Sequence, residues 1–214
     1  IQKEGISVWE KLLSKIEVTG GTEREKELFY SSLYRSMQWP ALRSDVNGDF
    51  TDEQGQIQNK GFRFYTNPSL WDTYRNKLVL LSLLSPETAG DIIQSMIERG
   101  SNTGFMPTFF HGDHAAPFIA QAYGKGIQNF NVKKAYELLL NNAYKEGGTR
   151  PFILEYIEKG FISDPDVKNP NTETKAKAGV SKTLEYALDD HSLAILARDL
   201  QDFEHAEDLE KRSM

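Results

Sequence analysis

The sequence predicts an all-α protein assembled from helical hairpins, with one small β-hairpin insert. Three observations predict it. Apolar residues return at helical spacing through most of the 214 residues. Helix-start signatures recur, with Thr22 and Glu25 forming a capping-box pattern and Ser85-Pro86-Glu87 supplying an N-cap, a first-position proline and a first-turn acid. Only one stretch, 44–66, combines Asn-Gly with short β-prone pieces and an Asp-Glu-Gln-Gly turn, as a β-hairpin needs.

Taken in order, residues 5–17 (GISVWEKLLSKIE) bring Val8, Leu12 and Ile16 near one stripe. A helix over 23–38 turns Leu28, Phe29, Leu33 and Met37 inward, and Pro40 closes it. Beyond the hairpin insert, 70–84 forms a helix with Leu70, Tyr74, Leu78 and Leu81 facing in, and another runs from Pro86 to about Glu98. The segment 100–112 (GSNTGFMPTFFHG) is an aromatic, Gly-rich loop. Helices follow over 114–125, 132–145 and 151–158, then a long exposed polar loop over 163–179. Ser181 caps a strong helix over 182–200 that carries Leu184, Leu188 and Ile195 on one side, and a polar helix covers 202–212. No repeat of fixed period occurs, so nothing supports the familiar solenoids. Helices of this length joined by loops of varied length read as helical hairpins packed on one another.

Composition narrows the function. Hydrophobic residues make up 39% and aromatics 11%, enough for a folded core. A net charge of −6 disfavours nucleic acid, whose phosphates require a basic face. No run of 18 apolar residues is present to span a membrane. With no cysteine, disulfides and thiolate metal sites are excluded. The chain begins at Ile1 without a methionine and stops while still helical, so it is expected to be a fragment. Uncovered apolar helix faces are expected on such a piece.

Four stretches hold residues with chemistry. In Ser69–Arg75 (SLWDTYR), Trp71, Asp72 and Arg75 fall within five positions. On a helix, Asp72 and Arg75 are i,i+3 neighbours, and Trp71 and Arg75 are i,i+4 neighbours. They form either a capped helix with an ion pair and a core tryptophan, or a sugar clamp with a ring wall and hydroxyl-binding charges. In Phe109–Ala115 (FFHGDHA), His111, Asp113 and His114 invite a metal reading, but the spacing suits no zinc site. Asp113 stands where an N-cap belongs, and a polar group at a pocket mouth fits the stretch better. In Val180–His191 (VSKTLEYALDDH), Glu185 and Asp189 are like charges at i,i+4, and Asp190 adjoins them. These acids are either solvated or cavity-lining. Ser44–Asp49 (SDVNGD) has the look of a calcium loop but lacks the closing glutamate, and is a turn.

The order of FYSSLYRSM (29–37), SDVNG (44–48), SLWDTYR (69–75), GDHAAPFIAQAYGKGI (112–127) and VSKTLEYALDDHSLAILA (180–197) resembles glycoside hydrolase family 92, from about residue 6 to 200. Asn47 replaces the aspartate expected in SDVDG, the Asp49–Lys60 stretch departs from the usual form, and His191 stands where an aromatic is commoner. The resemblance implies a bacterial, calcium-dependent, inverting exo-α-mannosidase, many of whose relatives cut α-1,2 links. Its architecture would be a β-sandwich followed by an (α/α)6 toroid, of which residues 1–214 form the first part. It also implies that the terminal mannose of a glycan meets Trp71, Asp72 and Arg75, with Asp113, His114, Glu185 and Asp190 as further substrate-binding candidates. The catalytic acid and base and the Ca2+ ligands are expected beyond Met214, so this piece alone is expected to be inactive. The missing domains of the same polypeptide would be its partners, and the family's use of external glycans implies a periplasmic or secreted protein. The rival readings are a non-catalytic helical carbohydrate-binding or scaffold module, and an (α/α)6 glycosidase for another sugar.

Overall fold

The computed structural model describes residues 2–163 and 178–214, so nearly all of the predicted 163–179 loop lies outside the described residues. Ten helices and a two-stranded hairpin make up the described chain: α1 (Gln2–Leu13), α2 (Glu23–Ser36), β1 (Phe50–Thr51), β2 (Ile57–Gln58), α3 (Leu70–Thr73), α4 (Lys77–Leu84), α5 (Pro86–Thr103), α6 (Ala115–Gly124), α7 (Val132–Tyr144), α8 (Ile153–Lys159), α9 (Gly179–Asp199) and α10 (Phe203–Arg212). The expected class, helical hairpins with a small β-hairpin, is the one observed. The chain divides into two units, Ile1–Ala41 and Leu42–Met214.

The first unit is a helix pair. Thr22 accepts from Glu25 N while the Glu25 carboxylate takes Thr22 N, so the predicted capping box starts α2. Trp9 packs against Tyr34 with ring centroids 4.4 Å apart, and Tyr30 Oη donates to Ile16 O at 3.0 Å. The inward stripe expected on α2 holds for Leu33 only. Leu28 and Phe29 remain 50% and 36% exposed.

In the second unit the hairpin pairs Phe50 with Gln58 and Thr51 with Ile57, antiparallel. The preceding Asn-Gly stretch is a turn, in which Asn47 Oδ1 accepts from Asp49 N at 3.0 Å. Phe50 stacks on Phe64 with centroids 4.2 Å apart, which fixes the insert to its own base. Behind it, α4 packs on α5, α6 on α9, and α9 on α10. Their shared interior holds Leu78, Ile93, Met96, Phe118, Leu138 and Leu193, all buried.

Three helices depart from expectation. The single helix over 70–84 is two, α3 and α4, because Asn76 leaves helical geometry (φ −134°, ψ −77°) and caps Lys77 with its side chain. Asparagine competes with its own backbone in this way and favours helix ends. Helix α5 continues past Glu98 to Thr103 and ends at Gly104 in the left-handed region (φ 80°). Helix α9 starts at Gly179, so Ser181 lies inside it and caps nothing. Its faces are also reversed: Leu184 and Ile195 are 67% and 44% exposed, with Leu188 and Val180 beside them, while Tyr186, Asp189, Asp190 and Leu193 are buried.

No helix among the described residues is long and apolar enough to cross a membrane.

Gly100 shows how tightly α5 meets the loop after it, since a Cβ there would lie 2.6 Å from Phe105 O. Alanine raises helix propensity by about 1 kcal/mol over glycine. Against a backbone atom, overpacking of ~1–3 kcal/mol outweighs that gain. Gly100→Ala is therefore expected to lower the urea midpoint; an equal or higher midpoint would refute the close approach.

Candidate functional site

The site begins where the aromatic loop turns into α6. Phe110 (φ 71°) and Gly112 (φ 66°) both take left-handed backbone, which reverses the chain sharply and delivers Asp113 and His114 to the helix start. Glycine is required at 112, because a Cβ there would lie 2.8 Å from His114 Cε1 and 3.2 Å from Asp189 Oδ2. Asp113 was expected to cap α6 with its side chain. It does not: His114 occupies the N-cap position, and the Asp113 carboxylate points into the interior.

Across from this turn, α9 brings Glu185, Asp189 and Asp190 on its buried side. Asp189 holds the turn twice, through Asp113 N (2.6 Å) and His114 Nδ1 (2.8 Å). On the other edge of the imidazole, Nε2 lies 2.8 Å from Glu185 Oε2, close but off the hydrogen-bond axis. Glu185 Oε1 in turn accepts from Trp71 Nε1 at 3.1 Å. Tyr74 stacks on His114 with centroids 4.2 Å apart and planes 21° apart. With a carboxylate at each nitrogen, the imidazole is set up to be an imidazolium. Burial opposes the charge, and Asp189 and Glu185 outweigh it, holding His114 above its ordinary value.

Below this layer lies an ion-pair network wholly removed from water. Arg150 donates from Nε to Asp113 Oδ2 (3.0 Å) and from Nη1 to Asp190 Oδ1 (2.5 Å), and all three side chains are 0% exposed. Asn142 Nδ2 donates to Asp113 Oδ1 (3.0 Å) and also to Met106 O, while Asn142 Oδ1 accepts from Met106 N. Arg212, from α10, places Nε 3.0 Å from Asp190 Oδ2. Burial pushes Asp113 up to about 7 against the pull of Arg150. It raises Asp190 too, despite Arg150 and Arg212. Burial works against the charge of Arg150 as well, but Asp190 and Asp113 more than offset it. The arginine stays charged, and the two acids share its stabilisation.

The seven residues singled out by sequence thus fall into three groups. Trp71, His114 and Glu185 meet directly. Asp113 and Asp190 are joined to each other through Arg150 and are fully buried, with their oxygens facing cationic or amide donors. Asp72 and Arg75 are exposed, and no ion pair joins them among the described residues; Arg75 instead lies over the Tyr74 ring, 4.8 Å from its centroid. Sequence reasoning missed Arg150, Asn142 and Arg212, and left Asp189 out of the site. Arg150 follows Gly-Gly-Thr with no periodic context, so only the fold reveals its partners.

Among the described residues no three or more His, Asp or Glu side chains converge to hold a metal. Asp113 and Asp190 are committed to guanidinium groups, and Asp189 to the Asp113 N–H and the His114 imidazole, so these residues do not fit a calcium cage.

Residues 1–214 match the Glycosyl hydrolase family 92 catalytic domain, and the chain belongs to that family. With that, the all-α fold is part of an (α/α)6 toroid. Its structure is similar to that of the family GH92 alpha-mannosidase BT3965 from Bacteroides thetaiotaomicron, at 29% identity and a TM-score of 0.85 over 99% of this chain and 29% of that one. BT3965 has also been solved in complex with mannoimidazole. The family GH92 inverting mannosidase BT2199 from the same organism is 26% identical, with a TM-score of 0.85 over 99% of this chain and 30% of that one. The chain therefore spans less than a third of the length of these relatives. Comparison with curated protein sequences finds no match.

Two outcomes test the site's electrostatics. Arg150→Met leaves buried Asp113 without a cationic partner and Asp190 with Arg212 alone, and is expected to cost ~3–5 kcal/mol in urea unfolding; a loss below 1 kcal/mol would show that the network is not desolvated. His114, with its raised value, favours the folded state fully below the unfolded histidine range near pH ~6.5, and that contribution fades as pH rises through the folded value. The stability gap between the unaltered protein and His114→Gln should therefore narrow from pH 6 upward. A gap independent of pH would refute the imidazolium.

Proposed function

We propose that this chain is part of an exo-acting, inverting α-mannosidase that removes terminal mannose, α-1,2-linked in the first instance, from mannose-containing glycans. The observation that carries the reading is the Trp71–Glu185–His114 contact, made from the same Ser69–Arg75 stretch that exposes Asp72 and Arg75, in a chain of glycosyl hydrolase family 92. Support for mannose comes from BT3965, whose complex contains mannoimidazole, and support for inversion from BT2199, described as an inverting mannosidase.

In this reading Trp71 offers a ring face to the sugar, Asp72 and Glu185 accept from its hydroxyls, and Arg75 orients it from above Tyr74. Asp113, His114 and Asp190 act one layer down. His114 fixes the Glu185 carboxylate from behind, and Asp190 holds the arginine that holds Asp113. The acid and base lie outside residues 1–214 and stand roughly 6.5–9.5 Å apart, leaving room for the attacking water. One protonates the departing oxygen and the other activates that water. A calcium ion held by residues outside this chain would supply a hard cation for the sugar hydroxyls. The remainder of the polypeptide, including a β-sandwich, is the partner that completes the site, and the protein acts in the periplasm or outside the cell.

The test is made on the whole polypeptide that carries this sequence. Asp72→Ala and Glu185→Gln each remove a charged acceptor, and hydrogen bonds to charged groups contribute about 1.5–3 kcal/mol. The expected result is a fall in kcat/KM on an α-mannoside of about 10- to 150-fold, with the activity of the unaltered protein lost in chelator and restored by Ca2+. Full activity in both variants would overturn the assignment.

A further inference from the structure

Among the buried acids of the second unit, Asp189 is the one given no part in the reaction above. Its side chain is 0% exposed, and both of its oxygens are occupied inside the protein. Oδ2 accepts from Asp113 N at 2.6 Å, and Oδ1 lies 2.8 Å from His114 Nδ1. Asp113 and Asp190 each meet an arginine, whereas the ion pair of Asp189 among the described residues is with His114. For holding a backbone turn, an uncharged acceptor would serve at a lower desolvation cost. The charge at this position has its use on the imidazole.

On the far edge of that ring, Nε2 is 2.8 Å from Glu185 Oε2, and Glu185 Oε1 accepts from Trp71 Nε1 at 3.1 Å. Of the two carboxylates flanking the ring, only Glu185 retains exposure, 19% of its side chain. A neutral imidazole with its proton on Nδ1, toward Asp189, would turn a bare lone pair at Nε2 against Glu185 Oε2, and that contact repels. The doubly protonated ring attracts both acids. Tyr74 faces the ring from α3, with Arg75 over the tyrosine; Asp113 adjoins it in the chain; and Glu185 and Asp189 face it from α9. Burial works against the imidazolium, and Asp189 does the most to overcome it, ahead of Glu185 and Asp113.

We propose that Asp189 is a positioning residue for the reaction, acting through the His114 ring to hold the Glu185 carboxylate where it receives the sugar. This rests on the mannosidase reading for the identity of the ligand. Asp189 itself touches no substrate. Its charge keeps both ring nitrogens protonated, the ring fixes Glu185 Oε2, and Trp71 fixes Oε1. Glu185 is then left one direction in which to accept a hydroxyl. Asparagine at 189 keeps the shape but withdraws the charge, so the ring gives up its second proton at lower pH and Glu185 is released.

The test is a double-mutant cycle in the whole polypeptide that carries this sequence, with Asp189→Asn, Glu185→Gln and the two together. On an α-mannoside at pH 7, kcat/KM is expected to fall about tenfold in Asp189→Asn, chiefly through KM, and the double variant to be no slower than Glu185→Gln. The loss in Asp189→Asn is expected to be smaller at pH 5, where the ring is charged with or without its partner. Losses that multiply in the double variant, or full activity in Asp189→Asn, overturn the role. If Asp189→Asn does not fold, nitrogen NMR of labelled histidine in the unaltered protein decides, with His114 identified by its absence in His114→Gln. Protons on both ring nitrogens at pH 7 support the role, and one bare nitrogen overturns it. If the unaltered polypeptide hydrolyses no α-mannoside, the mannosidase reading fails by itself. The hold of Asp189 on the ring is then judged by the same NMR titration: a His114 midpoint lower by about one pH unit in Asp189→Asn supports it, and an equal midpoint overturns it.

Discussion

Arg150 is the residue on which the rest of the second unit depends. It comes from the short segment between α7 and α8, yet its two donors reach the start of α6 and the middle of α9. Removing an ion of this size from water costs several kcal/mol, and only well-placed opposite charges offset that cost. Asp113 and Asp190 are therefore obliged to lie where they do, and the backbone turn at Gly112 must deliver Asp113 there. Helix α9 must accordingly turn its acids inward, which forces Leu184, Leu188 and Ile195 outward. One buried guanidinium thus sets the rotation of the longest helix.

That rotation explains where the sequence could and could not be read. Element existence followed from caps and spacing: Thr22 with Glu25, Pro86, and the Asn-Gly turn all lie where their local chemistry predicts. These signals act within a few residues and survive any tertiary context. The face of α9 did not follow, since apolar periodicity picks the hydrocarbon stripe and here tertiary ion pairing wins. The break at Asn76 was missed for the opposite reason, as a continuous apolar run masked a single capping residue. In the site, Trp71, Asp72 and Arg75 were legible as a motif because they sit together in sequence. Arg150, Asn142 and Arg212 contribute through contacts 22 to 40 residues distant along the chain, which no local pattern encodes.

The site is layered. Its rim holds exposed side chains, Asp72 and Arg75, whose geometry is free to adjust. The second layer, Trp71, Glu185, His114 and Tyr74, is mutually restrained by a hydrogen bond, an ion pair and a ring stack. The third is the closed network around Arg150. Rigidity rises with depth, as a binding site needs if a few hydroxyls are to be told apart by direction.

Asn142 joins the second unit's loop to its charges through one amide, with its oxygen receiving from Met106 N and its nitrogen giving to Met106 O and Asp113 Oδ1. Hydrolysis of that amide to a carboxylate, the ordinary ageing reaction of asparagine, would change two donated bonds into oxygen facing oxygen. Chemical lifetime and shape are thereby linked at this position, and the helix that encloses Asn142 shields the protein from its own deamidation.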